Sequence, residues 1–302
     1  MFYLQIIGLR KYFCKLSILK ILWIILTSIA IAVLYYCKIQ FSNNEVKQRY
    51  MLKSCLNQVI RSNNISIWTH FNKIDYVNSV VKLFNSVDRH YSKDIDILIL
   101  EVEDNLLPEK IRTVFTSFGW KICRTNNLKI HNNRNDDFLK LMLWKFTEYE
   151  SNYYFDPDTL IIRDISNLMH MHKNLNETIR IGVTNEFNDG GWKNVLDTSV
   201  FLIKPDNLEF KRLVNTLNND YSFKNIDTFK DFINKIYLKN QTYDIGFVNN
   251  ANMALYSQYP DFWTKNQDQI NVINYNLQKP WNCSFEFAAI CEYWLDSYCN
   301  VL

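Results

Sequence analysis

Tyr149-Glu150-Ser151-Asn152-Tyr153-Tyr154-Phe155-Asp156-Pro157-Asp158-Thr159-Leu160-Ile161-Ile162 reads as an apolar strand that ends in two carboxylates one residue apart. Strand side chains alternate, so residues i and i+2 leave on the same side and Asp156 and Asp158 can converge on one ion. Two carboxylates that close repel unless a cation sits between them. The pair is therefore a candidate for holding a divalent cation against a diphosphate. An Asp-x-Asp pair alone is weak evidence, and its surroundings decide its meaning.

Strand and helix alternate on the N-terminal side of this run. A strand over 65–69 precedes a helix-period stretch in which Ile74, Val77, Val80, Val81, Leu83 and Phe84 lie mostly on one face. The run over 95–100 is too apolar for a half-exposed strand and is predicted to be covered on both faces, as in a parallel sheet. A helix over about 108–117, a strand over 120–123, an Asn-rich loop and a helix over about 136–146 lead back to the carboxylate strand. This order predicts a doubly wound α/β sheet that binds ligands beyond the carboxyl ends of its strands, which puts Asp156 and Asp158 at the crevice. Neither GxGxxG nor GxxxxGK[ST] occurs, which argues against a typical dinucleotide enzyme and a P-loop nucleotidase.

The neighbouring residues carry a more specific signal. Phe138-Leu139-Lys140-Leu141-Met142-Leu143-Trp144, then Thr147-Glu148-Tyr149, then the run from Tyr154 through Arg163-Asp164-Ile165-Ser166-Asn167-Leu168 resemble the core signature of glycosyltransferase family 8, the glycogenin-like family. A looser similarity runs from the first strand to the C-terminus. Thr69 and Asp75-Tyr76 resemble the family's nucleotide-binding start, Ser199-Val200-Phe201-Leu202-Ile203-Lys204-Pro205 the strand beyond the metal site, and Lys279-Pro280-Trp281 the C-terminal motif.

The resemblance implies a Rossmann-like nucleotide-diphospho-sugar transferase fold of GT-A type. It also implies retaining transfer of a hexose from a UDP-sugar, with Mn²⁺ or Mg²⁺ on the carboxylates. Negative charge builds on the departing diphosphate and must be stabilised by a cation and basic side chains. Hard oxygen ligands suit Mn²⁺ or Mg²⁺ better than zinc. On this reading Asp156 and Asp158 hold the metal, Lys279 binds the diphosphate, Lys140 supports the donor pocket, Thr69 lies at the nucleotide, and Tyr76 packs on the base. The plainer readings are Lys140 on a solvated helix face, Tyr76 in the core, and Trp144 and Trp281 as packing.

Departures from the family pattern leave a second reading open. Asn274, in Ile273-Asn274-Tyr275-Asn276-Leu277-Gln278-Lys279, takes the place of a metal-binding histidine, and an amide oxygen is a neutral, weaker ligand. The family's phosphate-approach glycine is missing from Asn276-Leu277, and its Asn-Ser-Gly reads Asp197-Thr198-Ser199. Its Asp-Gln-Gly has no clear counterpart; either Asp227 or Asp231 could fill the catalytic position. The alternative to an active enzyme is a catalytically degenerate binding or scaffold protein of the same fold. His170 and His172, two apart on an expected helix, are a poor metal pair, and Gly190-Gly191 reads as a turn.

At 302 residues the chain has room for one domain of about 250 residues behind an anchor. Its net charge of +3 is too mild, and its Lys and Arg too dispersed, for nucleic-acid binding. Residues 21–37 carry no charge, lie between Lys20 and Lys38, and as a helix span roughly 25 Å. Arg10, Lys11, Lys15 and Lys20 without an acidic partner favour a cytosolic N-terminus by the positive-inside bias. The organisation expected is a tail (1–20), a transmembrane signal anchor (21–37), a stem (38–62) and a lumenal transferase-like domain (63–302). That describes a single-pass type II protein of the ER or Golgi, acting on a glycan, protein or lipid acceptor. A cleaved signal ending near Ala30-Ile31-Ala32 is the rival. Among the cysteines, one disulfide from Cys283, Cys291 and Cys299, or buried free thiols, fit equally. Sequons at Asn64, Asn176, Asn240 and Asn282 are no more than chance supplies among 37 asparagines.

Overall fold

The computed structural model describes residues 64–71, 74–91, 95–102, 106–125, 136–188 and 191–299. The expected tail, anchor and stem, and the Asn-rich loop, lie outside these residues. No helix among the described residues is long and apolar enough to cross a membrane.

The described chain is built on two sheets. The larger uses β1 (Ile65–His70), β2 (Asp96–Val102), β3 (Lys121–Thr125), β4 (Ser151–Phe155), β6 (Ile181–Asn188), β7 (Gly191–Ile203) and β8 (Thr242–Asp244) in the order β3-β2-β1-β4-β7-β6-β8. β1 to β4 run parallel, as expected. The sheet is nevertheless mixed, because β7 runs antiparallel to both β4 and β6. The cause is local: β6 and β7 pair back on one another, Asn188 with Gly191, so the chain reverses without a crossover helix. The smaller sheet has β5 (Thr159–Ile161), β10 (Val272–Asn274) and β9 (Ala251–Asn252), with β10 in the middle.

Strand alternation divides the core between the two faces of the larger sheet. Ile97, Ile99, Tyr153, Phe155 and Leu202 join one cluster with Val80, Leu83, Phe84 and Val87 of α1 (Val77–His90) and Phe115 of α2 (Glu109–Ser117). Leu98, Leu100, Tyr154, Phe201 and Ile203 join another, formed on the opposite side with a 3-10 helix (Asp136–Lys145) and later helices. The apolar run over 95–100 is thus covered on both faces, which its composition anticipated. Gly119, at φ 79°, follows α2 and takes the left-handed conformation that lets the chain turn into β3. Gly182 on β6 serves packing instead, since a Cβ there would stand 2.8 Å from Leu202.

The expected helix over 136–146 is a 3-10 helix from Asp136 to Lys145, with Phe138 to Trp144 all buried. Its last carbonyls are met by a buried side chain: Asn152 Nδ2 donates to Leu143 O at 2.6 Å and to Phe146 O at 3.3 Å. Downstream come α3 (Ser166–His170), α4 (Asn207–Asn219) and α5 (Phe229–Ile236), then α6 (Met253–Gln258), α7 (Pro260–Asn266) and α8 (Ala288–Cys299). The smaller sheet packs with α6, α7 and α8 in a third cluster that includes Leu160, Met253, Trp263, Ile273, Tyr275 and Trp294. A Cys283–Cys291 disulfide ties the approach to α8 to the helix itself. His170 and His172 turn to different partners, Ser166 O and Tyr153 with Met169 O.

Candidate active site

The two carboxylates sit where the two sheets meet. Asp156 N donates to Ser199 O at 2.7 Å, which carries the β4–β7 ladder one residue past the strand. Pro157 then occupies a tight turn closed by Thr159 N to Asp156 O at 3.0 Å and Thr159 Oγ1 to the same oxygen at 2.7 Å. The chain enters β5 directly, and β5 pairs with β10 so that Thr159 faces Asn274. Tyr275 N donates to Asp158 O at 3.0 Å. Asn274 is therefore brought beside the carboxylate loop from more than a hundred residues away.

Each carboxylate meets a lysine. Lys140 is 4% exposed, so its stem lies in the core and not on a solvated helix face. Its ammonium lies 3.0 Å from Asp156 Oδ1 and 2.8 Å from Asp137 Oδ1, above the ring of Tyr154 at 4.9 Å. Asp137 Oδ2 in turn accepts from Phe229 N, the first residue of α5, at 2.8 Å. Burial works against the Lys140 charge, but Asp156 and Asp137 outweigh it and hold the ammonium above its ordinary range. Burial also acts against the Asp137 charge, and Lys140 with the Phe229 N–H brings that carboxyl below the usual carboxylate range. Asp156 ends differently. Burial raises its carboxyl, Lys140 pulls it back, and repulsion from Asp158 and Asp137 leaves it pushed up to about 6.

On the other side, Lys279 pairs with Asp158 Oδ2. Burial opposes the Lys279 charge, and Asp158 more than restores it. The Lys279 ammonium is 5.9 Å from the centre of the Tyr76 ring, and Trp281 packs edge-on against Tyr76 at 5.3 Å. Trp144 lies in the core, as its plainer reading held.

A chain of hydrogen bonds supports Asp156 from β1. Tyr154 OH donates to Asp156 Oδ1 at 2.9 Å, and His70 Nδ1 lies 2.7 Å from the same hydroxyl. The hydroxyl has one proton, so Nδ1 carries the hydrogen that His70 gives to Tyr154. Burial, then the charge of Lys140, lowers His70 to about 4, so the ring is neutral at pH 7.

The donor set suits a hard divalent cation. Asp156 and Asp158 supply carboxylate oxygens whose repulsion a cation relieves, and Asn274 adds an amide. Asn274 is 1% exposed and directs its Nδ2 to Asn250 Oδ1 at 3.0 Å. Asn250 Nδ2 is itself buried without a partner. Among the described residues no group of three His, Cys, Asp or Glu side chains forms a metal cluster.

The structure thus brings together Asp156, Asp158, Asn274, Lys140, Lys279 and Tyr76 from the residues expected in sequence. Thr69 is fully buried, with its hydroxyl unpaired. Asp227 is exposed. Asp231 is exposed in the first turn of α5, where Thr228 Oγ1 donates to its carboxylate at 2.7 Å. Asp137, Tyr154, His70 and Asn250 were not anticipated. Asp137 stands three residues before Lys140, a spacing that pairs charges on a helix, and Tyr154 shares a strand face with Asp156. His70 and Asn250 leave no local signal.

No protein-family model matches the chain. Among curated proteins it is 22% identical over 238 residues to UDP-glucuronate:xylan alpha-glucuronosyltransferase 2 of Arabidopsis thaliana, covering 73% of this chain and 36% of that one. It is 24% identical over 152 residues to glycogenin-1 of Oryctolagus cuniculus, covering 49% and 42%. The chain spans less than half the length of these curated relatives. In structure it is similar to the galactosyltransferase LgtC, solved with donor and acceptor sugar analogs, at a TM-score of 0.56 and 14% identity, covering 77% of this chain and 94% of that one. The fold is the GT-A glycosyltransferase fold, and the sequence kinship runs to the family whose signature residues 138–168 resemble.

Proposed function

We propose that this divergent relative of the family 8, glycogenin-like glycosyltransferases moves a hexose from a UDP-sugar to an acceptor with retention of configuration. The observation that carries the reading is the pair Asp156 and Asp158 at the end of β4, braced by lysines from two separate segments and joined by Asn274. Asp156, Asp158 and the Asn274 amide are the residues that would hold Mn²⁺ or Mg²⁺. A cation bound there stabilises the charge of the departing diphosphate. Lys279 passes from Asp158 to a diphosphate oxygen, Lys140 keeps Asp156 oriented, and Tyr76 offers its ring to the base. Buried residues of β1, β4 and the 3-10 helix form the floor beneath the pair. Nothing in the geometry selects the acceptor.

The address we propose is the secretory lumen, reached through a signal anchor at 21–37. The Cys283–Cys291 disulfide supports it, because such bonds persist in oxidising compartments.

Calorimetry of the full chain with UDP and Mn²⁺, followed by turnover of UDP-glucose and UDP-galactose, tests the reading. Binding and turnover are expected in the wild type, and loss of turnover in Asp158→Asn. Absence of both binding and turnover with an intact fold overturns the enzyme reading. One observation favours the degenerate alternative: Asp231 is engaged with Thr228 and Asp227 is exposed, so neither candidate catalytic carboxylate is held at the metal pair. Tight UDP binding without turnover of any UDP-sugar is its signature.

A further inference from the structure

We infer that His70 is a positioning residue for the metal site: acting through the Tyr154 hydroxyl, it fixes Asp156 so that the protein holds one carboxylate oxygen and offers the other to a cation. The inference rests on the metal-dependent transferase reading and adds a residue to its machinery.

Strand register brings the three residues together. β1 and β4 are parallel neighbours in which Trp68 pairs with Tyr154. His70 follows Trp68 by two positions and Asp156 follows Tyr154 by two, so the side chains of His70, Tyr154 and Asp156 leave one face of the sheet at its carboxyl end. Trp68 and Tyr154 belong to the core cluster on that face. Tyr154 is fully buried there, with the Lys140 ammonium over its ring. His70 ends β1 and is half-buried. The His70 and Tyr154 rings are tilted by 38° with centroids 5.8 Å apart, so they meet through nitrogen and hydroxyl and do not stack.

The proton inventory gives the chain of contacts a direction. Asp156 Oδ1 accepts from Tyr154 OH at 2.9 Å and from the Lys140 ammonium at 3.0 Å. A carboxylate oxygen has about two acceptor sites, so these donors fill Oδ1, and Oδ2 is the oxygen that can meet a ligand. The phenolic hydroxyl has a single proton and rotates to suit its neighbours. The Nδ1–H of His70, 2.7 Å from the phenolic oxygen, takes its acceptor side and so turns that proton to Asp156. A hydrogen bond received by the phenol also polarises its O–H and strengthens the bond that it gives. Without the His70 donor the hydroxyl can turn to water in the crevice, and Asp156 loses one of the two donors that set its orientation.

The test measures Mn²⁺ affinity of the full chain by the manganese paramagnetic signal, beside the nitrogen NMR shifts of the His70 ring. His70→Phe keeps a ring and removes the donor, whereas His70→Asn returns an N–H near the place of Nδ1. His70→Phe is expected to weaken Mn²⁺ binding about threefold, less than Tyr154→Phe does, because His70 acts one bond further from the ligand. His70→Asn is expected to recover most of that loss. In a Tyr154→Phe background His70→Phe should change the affinity by less than about 1.5-fold, since the connection is already cut. The neutral His70 ring is expected to carry its proton on Nδ1, and a proton on Nε2 overturns the inference whether or not any variant folds. Unchanged affinity in His70→Phe overturns it as well. Equal losses in both backgrounds, or no recovery in His70→Asn, leave His70 a structural role and also overturn it. Failure of the wild type to bind Mn²⁺ removes the metal reading and the inference together, whereas binding that is weakened by Asp156→Asn and not by His70→Phe removes the inference alone.

Discussion

Replacing Lys140 with methionine keeps most of the side-chain volume and removes the charge that two carboxylates share. Breaking a buried ion pair from one side costs about 3–5 kcal/mol, because the remaining charge is left uncompensated. Here two carboxylates lose their shared cation at once, which pushes the cost up. Their side chains are 22% and 28% exposed, so water recovers part of it. The expected loss is about 3 kcal/mol, which for a domain of this size lowers Tm by roughly 6–12 °C. Urea and thermal denaturation followed by circular dichroism measure it. The decisive comparison is Lys140→Met with and without Asp156→Asn. If the cost comes from stranded charge, the double variant recovers at least half of it, and the cycle returns a coupling energy above about 1 kcal/mol. A single variant within about 1 kcal/mol of wild type, or a double variant no more stable than the single, refutes the electrostatic account and leaves Lys140 as a packing residue.

Further outcomes follow from other contacts. Tyr154→Phe removes the hydroxyl between His70 and Asp156 and should cost about 1–2 kcal/mol of stability and weaken Mn²⁺ binding several-fold, read by denaturation and by the manganese paramagnetic signal. Gly182→Ala drives a methyl to within 2.8 Å of Leu202 and 3.2 Å of Ile245, so a loss of about 1–3 kcal/mol is expected by denaturation. Lys82 on α1, whose ammonium donates to Trp294 O of α8, is lowered by burial to about 7 from 10.5. The unfolded chain then holds that proton up to about pH 10 while the folded chain releases it near 7, so this residue makes stability rise with pH across that window. Lys82→Met should flatten the slope of stability against pH between 7 and 10.

Much of the larger sheet was legible in sequence because its strands obey simple rules. The run over 95–100 is buried on both faces, and β4 delivers its carboxylates at the carboxyl end, as apolar content and alternation predict. The direction of β7 was hidden, because a hairpin and a crossover leave similar strand patterns and only the pairing of Asn188 with Gly191 distinguishes them. The candidate site divides in the same way. Asp156, Asp158, Lys140 and Lys279 lie in recognisable local sequence, and Asn274 was located by what it replaces. Asp137 was accessible through its spacing to Lys140 but looked like an ordinary acidic residue at a helix start. The roles of His70 and Asn250 depend on residues 84 and 24 positions away, and no local pattern encodes such contacts.

The pairing of β5 with β10 also bears on the order in which the protein is made. By the time a ribosome has finished β4 and β5, both carboxylates and Lys140 exist, and the parallel strands can begin to pair. Asn274, the Tyr275 amide that holds Asp158, and Lys279 are still more than a hundred residues from synthesis. A nascent chain at that stage has the acidic half of the site without the strand that clasps it, and on the proposed function it is not yet able to grip a nucleotide. On that proposal, nucleotide binding by the full chain would report that β10 has been both synthesised and paired with β5.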